Sequence, residues 1–483
     1  MSALASIPLV SGASGVGGHV GELRRDRLGL LTRAAAEASA GVSRLRVFGR
    51  EIVCVHDPAL LHAVLVEHAA AYEHARSTRL LLQPLLGDGL FISEGELWRR
   101  QRRLMAPLFT PAQVAAYAPA MHAAAARVAD ELGATAGPVA FDPALAMTRV
   151  AMAVAGSTLF GIDTFGLHGD LGAALHDALQ WSGKQAGSLL VIGQLLAVGL
   201  LRRLSLRGPE LLRPAAAGLL GRLRGPALLP GRETRRFRES LAIIDRTIGR
   251  VIADRRAERA DPPRDDLLAR LLQARDGDEA MTDRQVRDEA VTLFVAGHET
   301  TAIALTWSLH LLALHPEVQQ AAAAEALALA SPPTAADLPR LALVTRVFKE
   351  ATRLYPPIYT FTRESIRDAE LGPHALPRGT TVYISPYTLH RDPTLWPEPT
   401  RFDPSRFTAE AESRRPRAAW LPFGAGPRTC IGLHFALLEG PVVLATLLRR
   451  LRFAPAGPAP TLAALSTLRP AEGFRMLASP RAA

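Results

Sequence analysis

The residues best suited to chemistry lie near the C-terminus, where residues 423–432 follow the spacing F-x-x-G-x-R-x-C-x-G. A loop rich in Gly and Pro delivers Cys430 to an apolar segment that predicts a helix from about Leu433 to Leu451. Unpaired N–H groups and the dipole at such a helix start favour a thiolate over a thiol. Cys430 is therefore a candidate anionic metal ligand.

A second polar cluster sits inside a long apolar helix. Thr282 and Gln285 predict a capping box, and the helical pattern continues to Leu314, where His315 and Pro316 stop it. About 32 residues at 1.5 Å each give roughly 50 Å. The segment is apolar on nearly every face from residue 290 onward, so we expect it to run through the centre of the molecule.

This helix carries a carboxylate and a hydroxyl, Glu299 and Thr300, which are costly to bury unless they have partners or a task. Ala296 and Thr300 share one face, and Gly297 leaves space there for a bound group. A threonine that donates to the carbonyl four residues back bends a helix. Taken alone, such a threonine more often satisfies only the backbone.

Together these motifs resemble the cytochrome P450 family, the haem-thiolate monooxygenases, in its bacterial-type soluble form, from about Val47 to the end of the chain. The resemblance implies a mostly α fold with a minor β region, in which the long central helix lies over the haem and the Cys loop and its helix lie beneath. It also implies an N-terminal segment at 1–40 and a single catalytic domain at 41–483. The cofactor would be heme b, with Cys430 as axial ligand, Phe423 shielding the sulfur and Arg428 reaching a propionate.

Other matches follow in the family's order. Trp98 and Arg102 resemble the helix whose indole and guanidinium hold the propionates, and Arg363 resembles a further propionate contact. Glu350 and Arg353 lie one helical turn apart. In this family that pair is buried and joined by a third residue, here Arg406; Ser405 stands where the family commonly has Glu.

The function implied is reductive activation of O2 at a haem held between Cys430 and the 296–301 segment, with Glu299 and Thr300 relaying protons. One oxygen atom would enter a hydrophobic small molecule by hydroxylation or epoxidation. The alternatives are a non-catalytic haem-thiolate sensor or carrier, and a P450-type enzyme of rearrangement or peroxide-driven oxidation. Family analogy predicts a pocket lined by 80–91, 181–201, 358–361 and the helix residues Leu293, Phe294 and Ala296.

No reductase segment follows the Cys motif, so electrons are expected from a separate ferredoxin or flavodoxin with its reductase. Arg99, Arg100 and Arg103 flank Trp98 and would attract an acidic partner, although solvated helix charge explains them equally well.

Composition limits the binding partners and the cellular location that we expect. The net charge of +10 comes from 56 basic and 46 acidic residues, and 14 arginines against 5 acids between 202 and 256 supply most of it. That segment has no groove-reading motif, so we expect no nucleic-acid partner. Two cysteines cannot build a disulfide scaffold, and Cys54 is typical of an inert buried thiol. A reducing cytoplasm is the expected location.

The N-terminus predicts neither a signal peptide nor an anchor. The apolar run at 186–201 is too short to span a bilayer and indicates a buried helix, or a lid in peripheral contact with a membrane. Two enzyme motifs are incomplete. The glycines at 12–18 lack the preceding strand of a dinucleotide site, and His298 and Glu299 lack a second histidine because residue 302 is alanine.

Overall fold

Helices dominate the computed structural model, which describes residues 4–135, 137–164, 170–185, 231–257, 266–276, 279–330 and 332–481, with scattered positions between 193 and 219. This confirms the mostly α prediction. In chain order, the α-helices are α1 Val20–Arg25, α2 Arg27–Ala36, α3 Pro58–His62, α4 Arg76–Leu86, α5 Gly95–Met105, α6 Pro111–Ala115, α7 Ala118–Gly133, α8 Pro143–Phe160, α9 Asp170–Gln185, α10 Arg232–Ala257, α11 Leu267–Gln273, α12 Asp283–Leu314, α13 Pro316–Leu327, α14 Ala342–Leu354, α15 Pro386–Leu389, α16 Ala409–Arg414 and α17 Leu433–Arg450.

The strands are short and lie in small sheets. They are β1 Val42–Val47, β2 Arg50–Val55, β3 Tyr72–Glu73, β4 Val139–Phe141, β5 Arg275–Asp276, β6 Glu279–Ala280, β7 Phe361–Ser365, β8 Ala369–Leu371, β9 His374–Leu376, β10 Thr381–Ile384, β11 Leu451–Pro455, β12 Leu462–Ala464, β13 Leu468–Pro470 and β14 Met476–Pro480. The largest described sheet has the order β1-β2-β10-β7-β3. The hairpin between β1 and β2 turns at Phe48 and Gly49, both with positive φ.

The central helix α12 forms as its sequence signals require. The Thr282 Oγ1 accepts a hydrogen bond from the Gln285 N–H at 3.3 Å, and the Gln285 side chain accepts from the Thr282 N–H at 2.9 Å. The helix ends at Leu314, before His315. It packs against α8, α14 and α17, so its apolar faces are covered by other helices. The prediction of a central position is confirmed.

Two helical segments are interrupted. The segment 111–132 forms two helices rather than one, because Pro119 lies in the first turn of α7. Proline lacks an N–H and clashes with the preceding turn, so the chain cannot continue as one α-helix there. The segment 58–68 is α-helical only to His62 and continues as a short π-helix over Ala63–Glu67.

Only one described helix is long and apolar enough to be tested as a membrane span. This is α8, and 72% of its apolar window is buried inside the molecule, as in a core helix. The apolar run predicted at 186–201 lies almost entirely outside the described residues. The glycines at 12–18 form turns and isolated bridges, which agrees with a loop.

Candidate functional site

A cavity of about 2100 Å³ lies between α12, the start of α17 and the sheet that contains β7. Its lining is largely apolar, which suits a hydrophobic ligand. Residues far apart in the chain, from Trp98 to Cys430, meet on this cavity. All ten residues that the sequence analysis selected line it: Trp98, Arg102, Ala296, Gly297, Glu299, Thr300, Arg363, Phe423, Arg428 and Cys430.

A tight turn brings Cys430 to the cavity. Gly426 has φ +71°, and a Cβ there would collide with the carbonyl oxygen of Leu65, so only glycine fits this position. The Cys430 N–H donates to the Phe423 carbonyl at 2.9 Å, which closes the loop before α17 begins at Leu433. The exposed surface of Cys430 faces the cavity.

The sequence predicted that the helix start would favour the thiolate form of Cys430, but burial in the structure favours the thiol. Burial raises the pKa of its thiol, and the Gly432 N–H and the charge of Arg102 only partly oppose that rise. The start of α17 therefore does not by itself make the sulfur a thiolate, because the cost of burying a charge is larger. A thiol in this setting loses its proton when it coordinates a metal ion, whose own charge reverses the balance.

Four cationic or donor side chains also converge on the cavity. The Arg428 guanidinium lies 4.1 Å from the centre of the Trp98 ring, donates to the Ser93 carbonyl at 2.8 Å and pairs with Glu94. Arg363 has no carboxylate within 4 Å among the described residues, and it donates to the carbonyl of Thr362.

Burial, with the nearby charge of Arg428, lowers the pKa of Arg363 to about 10. Burial also lowers the pKa of Arg102, although the charge of Cys430 opposes the shift. Arg102, Arg363 and Arg428 face this cavity, and Glu94 is the only carboxylate within 4 Å of any of them among the described residues, so these guanidinium groups are short of negative charge. This donor set fits a ligand that carries two carboxylates and an iron centre, as haem does.

The segment of α12 that faces the cavity is shaped by Thr300. Its hydroxyl donates to the Ala296 carbonyl at 2.6 Å, the bond that the sequence predicted. A Cβ built on Gly297 would meet no atom within 4 Å, so open space lies beside the helix there. His298 turns away, because its ring contacts the Phe294 carbonyl at 2.7 Å and is buried.

The pair of Glu350 and Arg353 is completely buried, and Arg353 Nε donates to Glu350 Oε2 at 2.6 Å. Arg406 Nε lies 3.6 Å from the same carboxyl group. Ser405, where the family commonly has Glu, donates through its N–H and hydroxyl to Asp403 instead. Cys54 is buried, and burial raises the pKa of its thiol to about 12.

The expected lining is partly wrong. Phe294 does not line the cavity, since it is buried and stacks on Phe160 at 5.6 Å. Trp181 likewise stacks on Phe237 at 4.2 Å. Leu81, Leu90, Leu293 and Ile358 line the cavity as expected.

Sequence reasoning missed four polar residues of the site. His74 lines the cavity and contacts Glu94 at 2.7 Å between Nδ1 and Oε1, and burial lowers the pKa of its ring to about 4. Thr467 and Arg469 reach Glu299 from the C-terminal hairpin. These contacts join residues that are far apart in the chain, so no local sequence motif predicts them.

Comparisons with known proteins agree with this geometry. A family model described as "Cytochrome P450" matches residues 16–182 and 223–477. Cyclooctatin synthase of Streptomyces melanosporofaciens is 34% identical over 91% of this chain and 88% of its own length. Cyclooctat-9-en-7-ol 5-monooxygenase of the same organism is 32% identical over 93% and 88%. Pentalenene oxygenase of Streptomyces avermitilis is 32% identical over 91% and 90%.

Proposed function

The chain belongs to the cytochrome P450 family, and from that membership we infer that it binds heme b through Cys430 and oxidises terpenoids. The protein is a monooxygenase that inserts one atom of O2 into a hydrophobic small molecule. Three of its relatives are named for cyclooctatin, cyclooctat-9-en-7-ol and pentalenene. The observation that carries the proposal is the single cavity on which Cys430, Glu299 and Thr300 meet.

The haem, when bound, supplies the redox chemistry that uses two electrons to activate O2. Cys430 would hold the iron, and Phe423, whose carbonyl accepts the Cys430 N–H, would cover the sulfur. Arg363, Arg428 and Arg102 would hold the carboxylates of the porphyrin, because a guanidinium donates in a fork that matches a carboxylate. In the present structure, part of the donor capacity of Arg428 is used by Glu94.

The α12 residues that face the cavity would have two functions: they would transfer protons, and they would leave room beside the helix. Gly297 leaves room beside the helix, and Ala296 adds only a methyl group to the same face. Thr300 Oγ1 already donates to a carbonyl, so it would receive a proton on its lone pairs before it passes one on. Glu299, the adjacent carboxyl group, would supply that proton from the solvent side. Overall, substrate, O2, two protons and two electrons give the hydroxylated product and water.

Substrate recognition would rest on shape and apolar contact. Leu81, Leu90, Leu293 and Ile358 contribute apolar surface to the cavity. A rigid terpenoid skeleton offers apolar area at little conformational cost on binding, which suits such a pocket. A cyclic hydrocarbon or its mono-alcohol is therefore the expected substrate class.

A binding titration tests the proposed substrate class. Purified protein is titrated with a terpene panel of cyclic sesquiterpene and diterpene hydrocarbons and their alcohols, and the Soret band of the ferric form is followed. We expect a spectral shift with at least one member and none with straight-chain fatty acids. A shift with fatty acids and with no terpene would overturn the substrate class.

The cofactor assignment is tested by Cys430→Ser, with Cys54→Ser as the matched control. The reduced protein with carbon monoxide should show the red-shifted Soret band of a thiolate complex in the wild type and in the control. Cys430→Ser should lose that band. Its retention in Cys430→Ser would exclude Cys430 as the ligand.

Three further parts of the proposal concern the setting of the enzyme. Electrons would come from a ferredoxin or flavodoxin with its reductase, attracted by the exposed residues Arg99 and Arg103 on α5. Residues 41–483 would form one catalytic domain, since β1 and β2 belong to the same sheet as β7 and β10. A cytoplasmic location and at most peripheral membrane contact accord with the buried position of α8.

A further inference from the structure

We propose that Thr467 and Arg469 are positioning residues that hold Glu299 between the solvent side and the cavity, and so control proton delivery. The inference rests on the proposed function, in which Glu299 supplies the proton. Neither residue belongs to the motifs of the sequence analysis. Thr467 directly precedes β13 and Arg469 is its middle residue; Thr467 is 168 residues from Glu299 in the chain.

One oxygen of Glu299 takes part in both contacts. Thr467 Oγ1 donates to Glu299 Oε1 at 3.2 Å, and Arg469 Nη2 lies 3.8 Å from the same atom. Among the described residues, Glu299 Oε2 has no hydrogen-bond partner. The carboxylate is therefore held on its hairpin side, while its second oxygen is free to accept or donate a proton.

Arg469 has a reason to attract this carboxylate. Its Nε and Nη2 atoms are buried and make no hydrogen bond, and Glu299 is the only carboxylate within 4 Å of it in the described part of the chain. A buried guanidinium with unsatisfied donors is costly, so a nearby negative charge is strongly favoured. At 3.8 Å the contact is electrostatic rather than a hydrogen bond, so it restrains Glu299 without locking it.

The hairpin itself is held by other parts of the molecule. The Leu465 carbonyl accepts from Tyr359 Oη at 2.8 Å and from Arg27 Nη1 at 3.1 Å. The Leu468 carbonyl accepts from Trp307 Nε1 at 3.2 Å. Because these anchors do not depend on Glu299, the hairpin presents Thr467 and Arg469 in a fixed position.

α9 also approaches the hairpin closely, since a Cβ built on Gly183 would lie 2.7 Å from the Ser466 nitrogen. Two other titratable groups face this cluster. His298 on α12 turns its ring to the Phe294 carbonyl, and its pKa is lowered by burial. Partial burial of the His176 ring on α9 and the charge of Arg469 lower the pKa of that ring, and the charge of Glu299 opposes the shift.

The proton balance follows from this placement. Each proton that Glu299 gives toward the cavity leaves a carboxylate, which Arg469 and Thr467 stabilise through Oε1 until a proton from bulk solvent returns to Oε2. Without that restraint the carboxyl group spends less time in the orientation that delivers protons correctly. The two electrons then leave more often as hydrogen peroxide than as product and water.

The test compares Thr467→Val and Arg469→Leu with the wild type, with Arg469→Lys as the charge-retaining variant and Arg452→Leu as the control. Arg452 is an exposed arginine on β11, which belongs to the separate sheet β11-β14-β4. The probe is the member of the terpene panel that binds most tightly, with electrons from ferredoxin and its reductase. We expect product formation to fall about tenfold in Thr467→Val and Arg469→Leu, with a larger peroxide fraction per NADPH. Arg469→Lys and Arg452→Leu should remain close to wild type.

Two further readouts separate positioning from a structural role. Iodosylbenzene donates an oxygen atom without protons or electrons, so turnover driven by it should be unchanged in every variant. The infrared stretching frequency of bound carbon monoxide reports polarity in the cavity and should move in Thr467→Val and Arg469→Leu. In a Glu299→Gln background, Arg469→Leu should change neither the peroxide fraction nor this frequency.

The outcomes are distinguishable from failure of the proposed function. If no terpene binds, the peroxide fraction and the carbon monoxide frequency are measured without substrate, and they still test the inference. If product forms but Thr467→Val and Arg469→Leu keep the wild-type peroxide fraction and frequency, the positioning role is excluded. Equal effects of Arg469→Leu with and without Glu299→Gln would also exclude it.

Discussion

Single hydroxyl groups on α12 make the same local bond but face different surroundings. Thr300 donates to the Ala296 carbonyl at 2.6 Å and lines the cavity. Thr306 donates to the Ala302 carbonyl at 2.7 Å, yet it is buried away from the cavity lining. The local bond is thus a common backbone interaction, and only the position of Thr300 suggests a role in chemistry.

This contrast gives a prediction for Thr300→Ala. Loss of the hydroxyl removes a proton-relay group, so product formed per NADPH should fall about tenfold while peroxide rises. Thr300→Ser should restore most of the coupling because it keeps the hydroxyl. Thr306→Ala, the matched control, should leave the product-to-NADPH ratio unchanged even if it lowers the unfolding temperature. Unchanged coupling in Thr300→Ala would remove the assigned role.

Individual site residues could be predicted from the sequence wherever they belong to a local motif. The spacing around Cys430 and the pair Glu299-Thr300 identified side chains that do line the cavity. The partners of those side chains could not be predicted, because Arg428 and Glu94 are 334 residues apart in the chain and Glu299 and Thr467 are 168 apart. Such pairings depend on how helices and loops pack, and no spacing in the chain encodes them.

Between elements, the buried pair on α14 connects a helix to the long segment before the Cys loop. Arg353 Nη1 donates to the carbonyls of His390 at 2.8 Å and Pro399 at 2.7 Å. Glu350 accepts from the Asp403 N–H at 2.9 Å. Burial raises the pKa of Glu350, although the hydrogen bond and charge of Arg353 oppose that rise. The pair therefore organises backbone groups of the segment that leads to Cys430.

We expect Arg353→Lys to destabilise this arrangement by about 3–5 kcal/mol, because it disrupts a buried ion pair and leaves carbonyls without donors. A lysine offers one ammonium in place of a guanidinium fork. The measurements are the thermal unfolding midpoint and the amount of haem bound per polypeptide, and both should fall. Arg401→Lys is the control, since its pair with Glu398 is exposed and should contribute at most about 1 kcal/mol. Equal losses in the two variants would contradict the prediction.

Helix ends are set by local residues and could be predicted, whereas contacts between helices depend on distant residues and could not. The capping box at Thr282 and the Pro after His315 were sufficient to predict α12 from the sequence. Pro119, in the first turn of α7, is likewise a local signal for the break between α6 and α7. The stacking of Phe294 on Phe160 could not be predicted, because it follows from how α8 packs on α12.

For the whole molecule, buried titratable groups set the dependence of stability on pH. Burial raises the pKa of Glu289 and of Glu439 to about 8, although the Leu90 N–H and Thr301 oppose the respective shifts. Burial lowers the pKa of His310 to about 4 and that of His390 well below its usual value. All four side chains are at most 5% exposed.

The two kinds of group act at opposite ends of the pH range. A glutamate with a raised folded pKa contributes stability that is complete below pH 4.5 and is lost as the pH rises to about 8. A histidine with a lowered folded pKa contributes stability that is complete above pH 6.5 and is lost as the pH falls toward 4. The two effects oppose each other between pH 4.5 and 6.5, and only the glutamate effect continues above pH 6.5, so stability should decline there.

Glu289→Gln tests the alkaline decline. The Glu289 Oε2 accepts from the Leu90 N–H at 3.0 Å, and a glutamine oxygen can accept the same bond without ever carrying a charge. Between pH 6.5 and 8 the wild type should lose about 1.4 kcal/mol per pH unit through this group, and the variant should not. Urea unfolding at both pH values measures the difference, with the exposed Glu370→Gln as control. If Glu289→Gln and the wild type decline in parallel, Glu289 is ionised in the folded protein and its carboxylate has a stabilising partner, contrary to the burial argument.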